Sequence, residues 1–190
     1  TTDIFDGSAQ AWYDLDIGVS DTDPETLLCG NLNVWRSTNG GTSWSAMNNW
    51  SNPNGQGYTH ADIHFVRYYD NNLYVGSDGG IFRSTNNGTA FTDLTEGLQI
   101  GQFYTIAGTE QDPDLITGGL QDNGGFALVN GTWRVWYGAD GMESAINPNN
   151  TSRILGMIQN GSMYRSSNQG ASNQGSGSPE AGAWVTPMTR

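Results

Sequence analysis

The chain has 190 residues and a net charge of −12, because 19 acidic residues face seven arginines and no lysine. Without a basic cluster that could displace counterions, we predict no nucleic-acid partner. No apolar run approaches the ~18 residues of a membrane span, so we also predict no membrane insertion. Neutral glycans, cations and basic proteins are compatible with this composition.

The first 50 residues predict a sheet of four short strands, near 12–19, 26–31, 33–37 and 43–47. The turn before the fourth strand reads Ser37-x-Asn39-x-Gly41-x-x-Trp44. Its hydroxyl and amide can bond the turn backbone, its glycine can take a positive φ, and its tryptophan can pack over the loop. The only cysteine, Cys29, lies in an interior strand and is expected to be buried.

A second sheet follows, with strands predicted at 63–69, 73–77, 81–84 and 91–94. Its turn repeats the pattern as Ser84-x-Asn86-x-Gly88-x-x-Phe91. Because the same turn closes two successive sheets, we interpret the chain as a repeat protein.

The two histidines of the chain flank Asp62 at the start of this second sheet, as His60-x-Asp62-x-His64. Alternate residues of a strand point to one face, so we expect the three side chains on one side of a strand. They could hold a zinc ion, bind another ligand or act in catalysis, or form a hydrogen-bonded polar cluster. A straight strand spreads them over about 13 Å, which disfavours one metal ion bound by all three.

A third sheet is predicted within 103–136, and one of its loops places Gln121, Asp122 and Asn123 between glycines. This loop could present Asp122 and Asn123 to a sugar hydroxyl or a calcium ion. It is also what a tight turn of turn-favouring residues looks like. We favour the turn, since Asp78-Gly79-Gly80 occupies the same slot one sheet earlier.

The fourth sheet is predicted within 142–187, and Asp140 and Glu143 stand at its start. Glycosidases need two carboxyl groups about 5 to 9.5 Å apart, one of them kept protonated. The catalytic candidates are Asp62, Asp122, Asp140 and Glu143.

The third copy of the turn, Ser166-x-Asn168-x-Gly170, has Asn173 where an aromatic residue is expected, so we predict a looser hairpin. The segment 166–182 is rich in Ser, Gly, Asn and Gln and predicts a long loop before the last strand. Directly before the turn serines stand Arg36, Arg83 and Arg165. Their repetition predicts a structural role, in which each pairs with a carboxylate of a neighbouring sheet.

Four-stranded units of about 40 to 45 residues are typical of β-propeller blades. We therefore predict an all-β fold of four-stranded antiparallel blades in one propeller region, 1–190, with blades near 12–47, 63–94, 103–136 and 142–187. Because four blades are the minimum of this fold, we expect the chain to be part of a larger propeller and a fragment of a longer polypeptide.

The turn motif resembles the Asp-box, or BNR-like repeat, of sialidase-like, sortilin-like and xyloglucanase-like β-propellers, with Asn in place of Asp. In that family the box is a folding device away from the ligand face. The matching residues are Ser37, Asn39, Gly41, Trp44, Ser84, Asn86, Gly88, Phe91, Ser166, Asn168 and Gly170. Across its length the chain is similar to secreted glycosyl-hydrolase-like proteins of Bacteroidota with type IX sorting domains, through segments 59–64, 76–84, 119–124 and 140–143. This resemblance implies an extracellular or cell-surface bacterial protein.

Propellers gather ligand sites where their innermost strands line the channel mouth. The residues predicted to bind a ligand there are His60, Asp62, His64, Gln121, Asp122, Asn123, Asp140 and Glu143, with His60 and His64 as candidate metal ligands. The leading hypothesis is a secreted or cell-surface module that binds a glycan or a protein. The alternatives are a xyloglucanase-like glycoside hydrolase using paired carboxylates and a structural spacer in a surface assembly. No cofactor is required, and calcium or zinc is compatible with these residues.

Overall fold

The structure is a computed structural model that describes residues 4–5, 7–175, 177 and 180–188. The chain forms two compact units, Thr1–Gln99 and Ile100–Arg190. Each unit contains two four-stranded antiparallel sheets, and within every sheet neighbouring strands follow one another along the chain. The prediction of an all-β fold built from four propeller-type blades is confirmed.

The first unit holds blades 1 and 2. The strands of blade 1 are β1 (Asp16–Val19), β2 (Leu27–Gly30), β3 (Val34–Ser37) and β4 (Ser45–Ala46). Those of blade 2 are β5 (Ile63–Tyr69), β6 (Asn72–Ser77), β7 (Gly80–Ser84) and β8 (Thr92–Asp93). The buried apolar core between the two sheets consists of Leu28, Val34, Ile63, Val66, Leu73, Val75 and Phe82.

The second unit holds blades 3 and 4. The strands of blade 3 are β9 (Phe103–Thr109), β10 (Asp112–Leu120), β11 (Gly124–Val129) and β12 (Thr132–Tyr137). Those of blade 4 are β13 (Gly141–Ile146), β14 (Ile154–Ile158), β15 (Met163–Ser166) and β16 (Gln174–Gly175), with a short 3-10 turn at Gln159–Gly161. In the core Tyr137 stacks on Tyr164 with ring centroids 4.9 Å apart, and burial raises the pKa of Tyr137 to about 12.

The three Ser-x-Asn-x-Gly turns have the same internal hydrogen bonds. In the second turn the Ser84 hydroxyl accepts the Gly88 N–H at 2.8 Å and donates to Asn86 Oδ1 at 2.8 Å. Asn86 Oδ1 in turn accepts the Ala90 N–H at 2.9 Å. The side chains thus satisfy turn donors that no strand reaches, which explains why a buried serine recurs at this position.

Two predictions about the third turn are wrong. Its Ser166 hydroxyl accepts the Gly170 N–H at 3.0 Å, as in the other copies, so the hairpin is not looser. Asn173 compensates for the missing aromatic residue by donating to the Trp136 carbonyl at 2.5 Å. Directly after the turn, the chain pairs antiparallel with β15 as strand β16. The last strand therefore lies inside the segment 166–182, which was predicted to be a loop.

Arginines connect each blade to the turn of the blade that follows it in the same unit. Arg36 Nη1 donates to the Asn87 carbonyl at 2.8 Å, and Arg134 Nη1 lies 3.5 Å from the Gln169 carbonyl. For Arg36 the predicted carboxylate partner is therefore wrong, because the acceptor is a backbone oxygen. The ion pair between blades 1 and 2 is made instead by Arg67, which binds both carboxylate oxygens of Asp16.

Candidate functional site

A polar cluster lies in the first unit, where the segments before β1 and β5 meet the turn between β6 and β7. We call it the first-unit cluster, and its members are Gln10, Tyr13, Asp14, His60, Asp62, His64 and Asp78. Their hydrogen bonds span up to 65 residues of sequence, so the cluster exists only in the folded chain.

The inner half of the cluster consists of two carboxylates that share one amide, the buried Asp14 and the half-buried Asp62. Asp14 is fully buried and accepts the Gln10 amide at 2.9 Å and the Asn31 amide at 3.1 Å. The same Gln10 nitrogen donates its second proton to Asp62. Burial raises the pKa of both carboxyl groups above the ordinary value, and for Asp62 the neighbouring charges of Asp14 and Asp78 act in the same direction. This pair therefore resists holding two negative charges.

The backbone at Asp62 fixes the direction in which the chain enters β5. Asp62 has a φ of +63°, a left-handed conformation that Asp tolerates better than most residues. The Asp62 carbonyl accepts the Asp78 N–H at 3.2 Å, and the Ile63 N–H donates to the Asn31 carbonyl at 2.8 Å. Because β5 begins only at Ile63, the expectation that all three residues of the His-x-Asp-x-His segment share a strand face is wrong.

The accessible half of the cluster is organised by Asp78. Its two carboxylate oxygens contact the Tyr13 hydroxyl at 2.7 Å and His64 Nε2 at 2.9 Å. The Tyr13 and His64 rings meet edge to face, with centroids 5.0 Å apart. Next to them Trp12 is 85% exposed, with its ring 5.8 Å from Tyr13. The result is a solvent-facing aromatic side chain beside fixed carboxylate and imidazole groups.

His60 has a different environment from His64. Its ring lies over Gly79, where an added Cβ would be 2.2 Å from His60 Cγ, and its Nδ1 is 3.2 Å from the Ala61 carbonyl. Among the described residues, neither histidine belongs to a group of three His, Cys, Asp or Glu side chains whose ligand atoms all lie within 4.8 Å of one another. Zinc binding by His60 and His64 stays a prediction.

In the second unit, the predicted polar residues are tied into turns. Asp122, with a φ of +60°, donates its N–H to Asp140 Oδ1 at 3.0 Å. Asn123 donates to the Gln121 carbonyl at 2.9 Å, and the Asp140 N–H faces Gln159 Oε1 at 3.3 Å. Glu143 is half-buried on β13. Asp122 and Asp140 thus meet through a backbone bond that closes a turn, and calcium or sugar binding by this loop stays a prediction.

The glycines around that loop allow a close approach of backbone. A Cβ at Gly119 would lie 2.2 Å from the Met142 carbonyl oxygen, and one at Gly141 would lie 2.0 Å from the Gly124 carbonyl oxygen. At this place β10 and β13 therefore approach each other main chain to main chain.

Sequence reasoning missed part of the cluster. Gln10, Tyr13, Asp14 and Asp78 were not among the predicted ligand-binding residues, although Tyr13 and Asp14 stand in the polar start of the first inner strand and Asp78 in a Gly-flanked turn. The available signal was the recurrence of polar residues at the start of each blade. What no local pattern shows is that Gln10 bonds a carboxylate 52 positions away.

No protein-family model and no curated protein matches this chain. It is similar to the solved structure of an ancestral GH74 enzyme, with 17% identity over 88% of this chain and 24% of that one and a TM-score of 0.37. It is also similar to the GH74 xyloglucanase from Xanthomonas campestris, with 17% identity over 84% of this chain and 29% of that one and a TM-score of 0.36. A third neighbour is YCF48 bound to D1 peptide, with 12% identity over 84% of this chain and 65% of that one and a TM-score of 0.31.

The chain thus spans about a quarter of the length of the two GH74 proteins. The assignment of the fold rests on the strand order and pairing given above. Within the described residues, the structure contains no helix that is both long and apolar enough to cross a bilayer.

Proposed function

We propose that the chain is an extracellular or cell-surface β-propeller module that binds a neutral glycan at the first-unit cluster. The observation that carries this proposal is the exposure of Trp12 beside the polar triad of Tyr13, His64 and Asp78. A sugar presents an apolar C–H face and a rim of hydroxyl groups. A flat aromatic ring next to oriented carboxylate and imidazole groups complements both features.

The fixed geometry of the polar groups supports binding of a small ligand. Asp78 is already held by two side chains, and Asp62 is held by Gln10, so little side-chain entropy remains to be lost on binding. The net charge of −12 disfavours acidic polysaccharides, which would be repelled. Neutral sugars, whose hydroxyl groups donate to carboxylates, are the class that fits.

A glycan array probed with the whole chain tests this proposal, followed by calorimetric titration of the strongest neutral glycan. We expect Trp12→Ala to weaken binding by at least about tenfold, because tryptophans that become buried on binding often contribute much of the affinity. Trp50→Ala is the matched control, because Trp50 is also exposed, at 44%, and belongs to the same unit but makes no ring contact with the cluster. An array without any signal would contradict the proposal and leave protein ligands or a spacer role.

A glycoside hydrolase is the second candidate function, favoured by the state of Asp62. Burial, and after it the charges of Asp14 and Asp78, raise the pKa of Asp62, which is what a general acid next to a second carboxylate requires. Release of reducing ends from xyloglucan measures this activity directly. If the hydrolase is real, Asp62→Asn and Asp78→Asn each abolish release while Trp50→Ala does not. No release at high protein concentration removes this candidate without affecting the binding proposal.

A further inference from the structure

Blade 1 shows how one face of a blade is used. Its cross-strand partners Gly18, Leu28, Arg36 and Ser45 form a row across β1 to β4. Blade 2 covers this row: Leu28 is 0% exposed and belongs to the core shared with blade 2, and a Cβ at Gly18 would lie 2.6 Å from the Val66 carbonyl oxygen. We call this row the arginine row.

The arginine of this row is hydrogen-bonded to the turn of the covering blade. Arg36 reaches the carbonyl of Asn87, the residue between the turn Asn and Gly, whose φ is +55°. The second unit has a related contact from a different strand. Arg134, on the fourth strand of blade 3, lies 3.5 Å from the carbonyl of Gln169, which holds the same turn position with a φ of +53°. The left-handed residue makes its carbonyl available to the preceding blade in both units.

Blade 4 has the same row in the same order, formed by Ala145, Leu155, Arg165 and Gln174 across β13 to β16. Here the row is open. Leu155 is 40% exposed, and Arg165 is exposed and forms no ion pair with any carboxylate in the described part of the chain. The row lines a cleft of about 1370 Å³.

We infer that this face of blade 4 is a docking surface for a further four-stranded blade, bonded through Arg165 to the carbonyl of the left-handed residue in a Ser-x-Asn-x-Gly turn. The match with blade 1 is residue by residue: a small residue, a leucine, an arginine and a polar residue. A small anion would neutralise Arg165 but would leave Leu155 in water. A second copy of this chain is disfavoured by the repulsion between two molecules of charge −12.

The test extends the full chain after Arg190, through a Gly/Ser linker, with a copy of its own residues 60–99, which carry blade 2 and its turn. The reporter is Gln174→Cys, a row position that is exposed in the parent chain. Its rate of reaction with a small thiol reagent is measured by mass spectrometry, which separates it from the buried Cys29. We expect the added blade to slow the reaction by about tenfold or more.

Arg165→Ala in the extended chain is expected to restore most of this rate, since a hydrogen bond from a charged group contributes about tenfold in a binding constant. Arg153→Ala is the matched control, because Arg153 lines the same cleft outside the row and is expected to change the rate less than about twofold. Thermal unfolding of the unextended chain checks that both variants fold.

Three results would overturn the inference. The first is a reaction rate that the added blade leaves unchanged. The second is an equal effect of Arg165→Ala and Arg153→Ala on that rate. The third is self-association of the unextended chain in sedimentation experiments that Arg165→Ala abolishes, which would assign the face to a second copy.

Discussion

The two units build the same pair of blades but fill the start of their inner strands differently. In the first unit, side chains from distant segments meet there, and Gln10 joins Asp14 to Asp62. In the second unit Asp140 accepts the Asp122 N–H and so closes a turn, next to the close backbone contact of Gly119 with Met142. The comparison teaches that carboxylates at the start of the inner strands can bond other side chains, as in the first unit, or turn backbone, as in the second. The glycan site is therefore proposed for the first unit.

The largest expected effect is that of filling the glycine contact. In Gly119→Ala the new Cβ would lie 2.2 Å from a backbone oxygen, and main chain cannot move aside as a side chain would. We expect a loss of about 3 kcal/mol or more in the free energy of unfolding, measured by urea titration. Gly108→Ala in the same blade is the control, because no atom lies within 4 Å of its added Cβ. Equal losses in both variants would show that the contact with Met142 does not set the cost of the change at Gly119.

The next largest loss of stability is expected from changes of the turn serines, and it should be equal in the two units. Ser84→Ala and Ser166→Ala each leave a glycine N–H without its acceptor in a buried turn. Each should cost about 1–3 kcal/mol in the free energy of unfolding. Thr85→Ala, an exposed change within the second turn, should stay within about 0.5 kcal/mol. A much smaller loss for Ser166→Ala would revive the expectation of a looser third hairpin.

Asp62→Asn tests the polar side of the comparison through pH. Because burial raises the pKa of Asp62 on folding, the folded chain binds more protons than the unfolded chain as pH rises from near 3.8 through the folded value. The wild-type chain therefore loses stability from this group across that window. Asn tolerates the left-handed conformation as Asp does, but its side chain does not bind or release a proton in this pH range.

Thermal unfolding of both chains as a function of pH measures the effect. The free energy of unfolding of the variant should rise relative to that of wild type as the pH rises from about 3.5 to about 7, the range set by ordinary carboxyl pKa values. A difference that does not vary with pH, or that changes in the opposite direction, would contradict the burial described for Asp62.

The smallest effect on stability is expected for Trp12→Ala. With 85% of its side chain in water, Trp12 contributes little to the core, so the free energy of unfolding should change by less than about 0.5 kcal/mol. The same variant should lose glycan binding, as proposed above. A large loss of stability would instead indicate that Trp12 covers apolar surface and is not a ligand contact.

The fold was predictable because its signals are local. Each turn motif carries its own hydrogen bonds within four residues, as between Ser84 and Gly88, so strands on either side could be placed from sequence. The last strand was missed because Asn173 replaces the aromatic residue and bonds the Trp136 carbonyl 37 residues away.

The candidate site was predictable only in part, since its contacts are long-range. Asp62 and His64 were expected to bind a ligand and do belong to the first-unit cluster. Gln10 and Asp14 acquire their roles only when the segment before β1 packs beside β5. The left-handed conformation of Asp62 also could not be seen, because in sequence it continues the alternation of a strand.

The most direct test of a glycan site in the first unit uses chain labelled with ¹⁵N at its seven tryptophans. The indole signal of Trp12, assigned through Trp12→Ala, is followed during titration with the neutral glycan selected by the array. We predict that this signal moves in a saturable way and that Asp78→Asn weakens the response. Saturable shifts confined to Trp133 or Trp184, in the second unit, would contradict the account.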